Sequence, residues 1–435
     1  MNKQTPNKQP DIRQAVIPYL YCNRCGNKSP SLIMLGSCPR CSGTLQYLFE
    51  GSLDEERFNG RINHRPGLWK YFDLLPLQHP DNIVSLDEGY SEVIELSELS
   101  DLLRGAKLFI KLDCRKNPTG TFKDREASLV ISRCKELRLD NLVFYSTGNT
   151  GRAYTHYAAQ IGLTTYFFMP RECQYKLRAS IKKNENNFII LIDDDYRKIA
   201  PYAKEFAAVN GLTAIAPLHD RTESYATIAY EQFQQMPECD FFVQTIASGM
   251  GPIGFLRGHK NLVRFGFEKK EQIPRIICVQ SRETNSMYRA YAAGKTAMTA
   301  DDLPPIPPAS LFEPTLNSTN PINNYPDLHQ CLTESNGIIE DVEPKEVVKV
   351  SKPLIEALER RRIGLRFDLE KSLLIGFTGL VKVVEEGRLG RNVRVLLLGT
   401  GRGRESTDDL LSPDAVAKPQ LDDPKDLKQS LDRLL

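Results

Sequence analysis

The run Asn117-Pro118-Thr119-Gly120-Thr121-Phe122-Lys123-Asp124-Arg125 sets one lysine in a helix-breaking loop, among small hydroxyl residues, just ahead of a long helical pattern. Lysine becomes a nucleophile once it loses a proton, and burial or a neighbouring cation lowers its pKa enough to permit that. An amine held this way can condense with an aldehyde. Taken alone, the same lysine reads as a solvated charge in the first turn of a surface helix. Three further segments change that reading.

Ser146-Thr147-Gly148-Asn149-Thr150-Gly151 follows the apolar run 142–145 and precedes the helical stretch 152–160. Strand, glycine turn and helix bring backbone N–H groups and an asparagine amide to the carboxyl end of a strand, where α/β sheets collect ligands. By itself the segment is also a well-capped turn. Ala247-Ser248-Gly249-Met250-Gly251-Pro252-Ile253-Gly254 follows the apolar run 241–246. Its glycines let the backbone close around an anion, and the next helix adds about half a positive charge at its N-terminus. It lacks the Gly-Lys-Ser/Thr of a Walker loop and the glycine spacing of a Rossmann turn, so it reads as a generic phosphate cup. Thr400-Gly401-Arg402-Gly403 is a third strand exit, carrying a hydroxyl after the run 394–398.

An amine, an amide, a phosphate cup and a hydroxyl at strand ends form the set that pyridoxal phosphate needs. The expected partners are Lys123 for its aldehyde, Asn149 for its ring oxygen and Thr400 for its pyridine nitrogen. The backbone of Ser248, Gly249, Met250 and Gly251 takes the phosphate.

The order of these motifs resembles the tryptophan-synthase-β-like, or fold type II, family of pyridoxal phosphate enzymes, and within it the threonine synthases. Gly67-Leu68-Trp69-Lys70-Tyr71, Leu75-Pro76 and Ser85-Leu86-Asp87-Glu88-Gly89 are similar to that family's approach to the core, so the likeness covers most of the chain. It implies an α/β protein of two domains with parallel-sheet cores: a small domain at 126–212 and a large one from 51–125 and 213–405, with the site in the cleft between them. It implies a Schiff base on Lys123, which becomes the general base once substrate amine displaces it. Phe122 is expected near the cofactor ring, or equally as a core aromatic. Thr121, Ser146, Thr147, Thr150 and Arg152 are the expected substrate contacts, and the assembly is expected to be a homodimer. The implied reaction converts O-phosphohomoserine and water to threonine and phosphate, so the partner is a small, phosphorylated amino acid.

Departures from that pattern keep other reactions open. Tyr90-Ser91-Glu92 stands where the family has a Thr-Pro-Leu-type segment, and Arg152-Ala153-Tyr154 where small residues are usual. In the closing turn, Arg402 and Arg404 replace a histidine between the glycines and a following lysine. Arginines 152, 402 and 404 offer bidentate anion contacts, or are solvated surface residues. An arginine after the glycine turn is similar to cysteate synthase, which replaces the phosphate of O-phosphoserine with sulfite. The alternatives are therefore a β-replacement enzyme acting on O-phosphoserine or O-acetylserine, and a non-catalytic paralogue with a binding or regulatory role.

Four of the ten cysteines form two knuckles, Cys22-Asn23-Arg24-Cys25 and Cys38-Pro39-Arg40-Cys41. Paired Cys-x-x-Cys turns can point four thiolates at one tetrahedral zinc, which then has no open position and is structural. Residues 17–50 thus read as a zinc-ribbon-like module behind a polar tail at 1–16. Similar modules occur in threonine-synthase relatives. The other six cysteines stand singly and read as reduced core residues.

The 435 residues, 41% hydrophobic and 26% charged, have room for two domains and a sizeable core. A net charge of +2 without basic runs argues against nucleic acid or an anionic membrane as partner. The polar first residues and the lack of a long apolar stretch lead to a cytosolic expectation. Strand-like runs at 108–110, 142–145, 166–168, 188–192, 241–246, 275–279 and 394–398 alternate with helical patterns at 124–137, 225–235 and 347–361, which implies parallel sheets covered by helices. The proline-rich 303–308 segment reads as an extended loop over the site. The polar 406–435 tail ends in leucines spaced for a short amphipathic helix.

Overall fold

A computed structural model describes residues 16–30, 37–60, 64–177, 186–193, 196–214, 218–303, 311–317, 321–361 and 370–402. The proline-rich loop beyond Leu303, the 406–435 tail and Arg404 lie outside these residues.

Among the described residues, twelve strands form three sheets. At the amino end β1 (Val16–Cys22), β2 (Lys28–Pro30) and β3 (Leu45–Gly51) make an antiparallel sheet in the order β2-β1-β3. The main sheet runs β11-β10-β9-β12-β5-β4, from Ile338–Val342, Arg275–Ser281, Phe241–Thr245, Arg394–Gly399, Lys107–Leu112 and Val93–Glu95. The third sheet pairs β6 (Asn141–Tyr145), β7 (Thr164–Pro170) and β8 (Asn187–Ile192) in parallel.

The apolar runs become parallel strands because helices cover both faces. The residues of β9 are buried throughout, as the near-continuous hydrophobic strands of such sheets require. One face carries Leu108, Ile110, Val243, Val395 and Leu397 with the Lys371–Glu385 helix. The other carries Phe242, Leu396 and Leu398 with residues of the Leu218–Gln235 and Met250–Arg264 helices.

The structure corrects three sequence expectations. The main sheet is mixed, not purely parallel: β4 runs antiparallel to β5, with Ile94 opposite Ile110. The 96–106 connection holds only the short Ser97–Leu99 turn and no helix to carry a parallel crossover. β11, absent from the sequence reading, buries Glu340 and Asp341 within a strand. Those acids hide the apolar pattern, and their cations, Lys382, Arg388 and Arg282, come from other elements. The helical pattern at 347–361 divides into Pro344–Val350 and Lys352–Arg360, because Pro353 has no N–H for the preceding turn.

The amino-terminal sheet docks on the Leu218–Gln235 helix. Leu20, Tyr47 and Phe49 cluster with Ala226, Tyr230 and Leu262. Tyr47 donates to Asp220 at 2.9 Å, and Arg257 donates to Gln46 at 2.8 Å and to the Tyr47 carbonyl. Among the described residues no helix is long and apolar enough to cross a membrane.

Candidate active site

The lysine loop is held from both sides. Asn117 donates to the Thr121 carbonyl at 2.9 Å and accepts from the Gly89 N–H at 2.9 Å. At the end of β12, Phe122 N–H donates to the Thr400 carbonyl and Arg402 N–H to the Gly120 carbonyl, each at 2.8 Å. Asp124 accepts from the Thr119 N–H at 2.7 Å and hydroxyl at 2.5 Å, and burial pushes its carboxyl up to about 7. Beneath the loop, fully buried Arg125 binds Asp113 at 2.7 and 2.9 Å and Glu231 at 2.5 and 2.7 Å. Buried Lys111 joins Glu231 at 2.7 Å. Burying these charges is tolerable only because each meets hydrogen-bonded partners.

Lys123 opens the Lys123–Glu136 helix, and its side chain is 19% exposed. Its Nζ lies 2.7 Å from the Tyr225 hydroxyl and 3.4 Å from Glu126 Oε2. The Phe122 and Tyr225 rings stack at 4.7 Å, and the amine sits 4.6 and 5.0 Å from their centres. Desolvation lowers the pKa of Lys123, Arg221 lowers it further, and Glu126 opposes both. Burial favours the neutral form of Glu126, but Arg221 and Lys123 outweigh it and hold the carboxyl below its ordinary value.

Opposite the amine stands the glycine cup. Gly249 takes φ +77°, which glycine adopts without strain, and leads into the Met250–Arg264 helix. A Cβ on Gly251 would lie 2.3 Å from the Gln244 amide, so only glycine leaves the cup open. Asn149 opens the Asn149–Ala158 helix, which follows β6, and donates to Glu370 at 2.9 Å. Its Oδ1 is buried without a hydrogen-bond partner among the described residues. At the end of β12 the Thr400 hydroxyl is 3.1 Å from Ser372, which donates to Glu370 at 2.7 Å.

These groups line one cleft. Lys123, Phe122, Asn149, Ser248, Gly249, Met250, Gly251 and Thr400 all face it, and so do Ser146, Thr147 and Thr150. Thr121 and Arg152 do not line it. Thr121 is fully buried and its hydroxyl accepts from the Lys123 N–H at 3.3 Å. Arg152 is 3% exposed, and its charge acts on Asp124. Arg402 follows neither reading of its sequence: it donates to the Cys114 carbonyl at 2.6 Å and the Arg115 carbonyl at 3.1 Å, fastening the loop.

Sequence reasoning missed Glu126, Tyr225, Arg221, Glu370 and Ser372. Glu126 was within reach, because a residue three positions after a helical lysine shares its face. The others come from distant segments and carry no local signal.

In the amino-terminal module, each knuckle closes on a backbone bond: Gly26 N–H to the Cys22 carbonyl at 3.0 Å, and Ser42 N–H to the Cys38 carbonyl at 2.8 Å. The four sulfurs of Cys22, Cys25, Cys38 and Cys41 lie within 4.8 Å of one another, with pairs at 3.5 and 3.7 Å. A tetrahedron of sulfurs about 2.3 Å from one zinc has edges of about 3.8 Å, so the cluster is compatible with a metal site.

A lysine of lowered pKa facing a helix-backed glycine cup, across a cleft lined from one mixed and one parallel sheet, defines an α/β enzyme built to hold a phosphorylated aldehyde. Residues 84–364 match the family described as pyridoxal-phosphate dependent enzymes, and the chain belongs to it. It is similar to the threonine synthase of Methanosarcina acetivorans, 24% identical over 88% of this chain and 91% of that one. It is also similar to the cysteate synthase of Methanococcoides burtonii, 23% identical over 80% of this chain and 81% of that one. Maize serine racemase shares the fold, with a TM-score of 0.58 and 18% identity over 80% of this chain and 94% of that one.

Proposed function

We propose that this chain is a pyridoxal-phosphate dependent lyase of the threonine-synthase type, converting O-phosphohomoserine and water to threonine and phosphate. The observation that carries this reading is the placement of Lys123 Nζ, the glycine cup and Asn149 on one cleft.

The residues present fit the cofactor. Lys123 would hold its aldehyde carbon, the Ser248–Gly251 backbone its phosphate, and Asn149, whose Oδ1 lacks a partner among the described residues, its ring oxygen. Thr400, bonded to Ser372, would meet the pyridine nitrogen. When bound, pyridoxal phosphate supplies an electron sink for charge that develops on the substrate's α-carbon. Lys123 acts as the base at that carbon, and its lowered pKa suits the role because the amine must be neutral to accept a proton. Ser146, Thr147 and Thr150 offer hydroxyls at the start of the Asn149–Ala158 helix, a setting suited to the substrate's anionic groups.

A β-replacement on O-phosphoserine is the second reading, supported by the cysteate synthase likeness. Lys123 in a lined cleft speaks against a non-catalytic paralogue.

The test is the visible absorption of the purified chain with pyridoxal phosphate, followed by phosphate release from O-phosphohomoserine. A band that is lost in Lys123→Ala and shifts on adding the substrate supports the reading. No band overturns the cofactor assignment, and turnover of O-phosphoserine alone selects the second reading.

We also propose that the four-cysteine cluster holds a structural zinc. Metal analysis is expected to find one zinc per chain, and a chain that folds without metal overturns this.

A further inference from the structure

The two oxygens of Glu126 divide their partners. Oε1 accepts from Tyr154 at 2.7 Å and pairs with Arg221 at 2.5 Å, so that side of the carboxylate is saturated by its own scaffold. Oε2 faces the amine: it accepts from the Tyr225 hydroxyl at 2.5 Å and lies 3.4 Å from Lys123 Nζ. The Tyr225 oxygen in turn is 2.7 Å from Nζ. The phenol thus bridges the lysine and the carboxylate, donating to one and accepting from the other.

The bridge is rigid. Tyr225 is fully buried and stacked on Phe122, the residue before the lysine. Glu126 is fully buried and held by partners from two other helices, Asn149–Ala158 and Leu218–Gln235. A carboxylate buried beside an amine is costly unless paired, and Arg221 provides a second cation, on the other oxygen of Glu126.

We propose that Tyr225 is a catalytic acid–base residue that exchanges a proton with Lys123 Nζ and passes it to Glu126, with Arg221 as the positioning residue for Glu126. The proposal rests on the reading of Lys123 as the base and goes beyond it by saying where the proton goes. When Nζ gives up a proton, the phenol oxygen accepts it as the phenol hydrogen moves to Glu126 Oε2. The forward transfer leaves Nζ neutral and Glu126 protonated, the reverse restores the ammonium and the carboxylate, and the cluster neither gains nor loses a proton. A neutral amine is thereby regenerated inside the cleft without a proton passing to bulk water. The charged and titratable groups around the amine are Glu126 on its own helix, Tyr225 and Arg221 on the Leu218–Gln235 helix, Tyr154 on the Asn149–Ala158 helix, and Glu370 beside Asn149.

The experiment measures the pH dependence of acetylation of Lys123 by acetic anhydride, read by peptide mass spectrometry on the full chain before cofactor is added. Glu126→Gln removes the facing negative charge and is expected to lower the labelling midpoint by about one pH unit, which is tenfold in labelling rate below the midpoint. Tyr225→Phe removes the bridge without unpairing Arg221. The ammonium can then close directly on Glu126, and the midpoint is expected to rise by a similar amount. The loaded protein gives the second readout. In deuterium oxide, Tyr225→Phe should exchange the substrate α-proton at least tenfold more slowly while keeping its visible band. Wild-type midpoints in Tyr225→Phe, or wild-type exchange in that variant, overturn the proposal and leave the cofactor reading intact. A wild-type chain that develops no visible band overturns the cofactor reading and the catalytic role together.

Discussion

Tyr47 of the cysteine module donates a 2.9 Å hydrogen bond to Asp220, the residue immediately before the Arg221 that pairs with Glu126 beside the Lys123 amine. This buried contact adds to the apolar packing that joins the amino-terminal sheet to the helix supplying two of the lysine's neighbours. Tyr47→Phe leaves a buried carboxylate without this donor and should cost about 1–3 kcal/mol of stability. The urea midpoint measures the loss. An unchanged midpoint would mean that Asp220 finds an equivalent donor.

Removal of the zinc proposed for the cysteine cluster should loosen the same interface. The core of the module includes Cys22 and Cys38 themselves, alongside Leu20, Tyr47 and Phe49. A strong zinc chelator is expected to expose β3 to proteolysis while the main sheet remains protected, as hydrogen exchange would show. Uniform protection after chelation would contradict a structural metal.

Arg125 should be among the least replaceable residues in the loop. It serves Asp113 and Glu231, both fully buried, and removing it would take the bidentate cation from Asp113 and leave Glu231 with Lys111 alone. Breaking such a pair costs about 3–5 kcal/mol, so Arg125→Met should unfold at a markedly lower temperature. Arg125 and Lys111 hold the Glu231 carboxyl at about 2, against the burial that would raise it. Since this folded value lies below the ordinary 4.5, the contribution of Glu231 is present above that value and is lost as the pH falls through about 2.

Asp124 works in the opposite direction. Burial raises its folded pKa from 3.8 to about 7, so folding binds a proton there between those values. Its contribution is fully present below 3.8 and is lost as the pH rises through about 7, with a slope of at most about 1.4 kcal/mol per pH unit. Asp124→Asn should remove that slope. The test is a series of urea midpoints between pH 4 and 8, and parallel curves for the two proteins would refute it.

Gly251→Ala tests the cup. The added Cβ would meet the Gln244 amide at 2.3 Å, so either the helix start or Gln244 must move. Pyridoxal phosphate affinity, followed by absorption, is expected to fall at least tenfold, about 1.4 kcal/mol, with the fold retained. Unchanged affinity would place the phosphate elsewhere.

What the sequence by itself determined is what short-range chemistry encodes. Apolar runs marked β5 through β10 and β12, because strands of a covered parallel sheet are hydrophobic along their whole length. Glycine turns after those runs located the cup, the Asn149 turn and the Thr400 exit, and the Cys-x-x-Cys spacing located the thiol cluster. The tertiary structure decided the rest. Val93–Glu95 joined as an antiparallel edge strand because its connection carries no crossover helix, and β11 was buried although it carries two acids, because cations from other elements neutralise them. It turned Arg402 onto the lysine loop and buried Arg152 off the lining of the cleft. It also brought Tyr225 to Lys123 across 102 residues and Glu370 to Asn149 across 221. Neighbours in a sheet built by crossovers come from remote segments, and no local period in the chain records which of them meet.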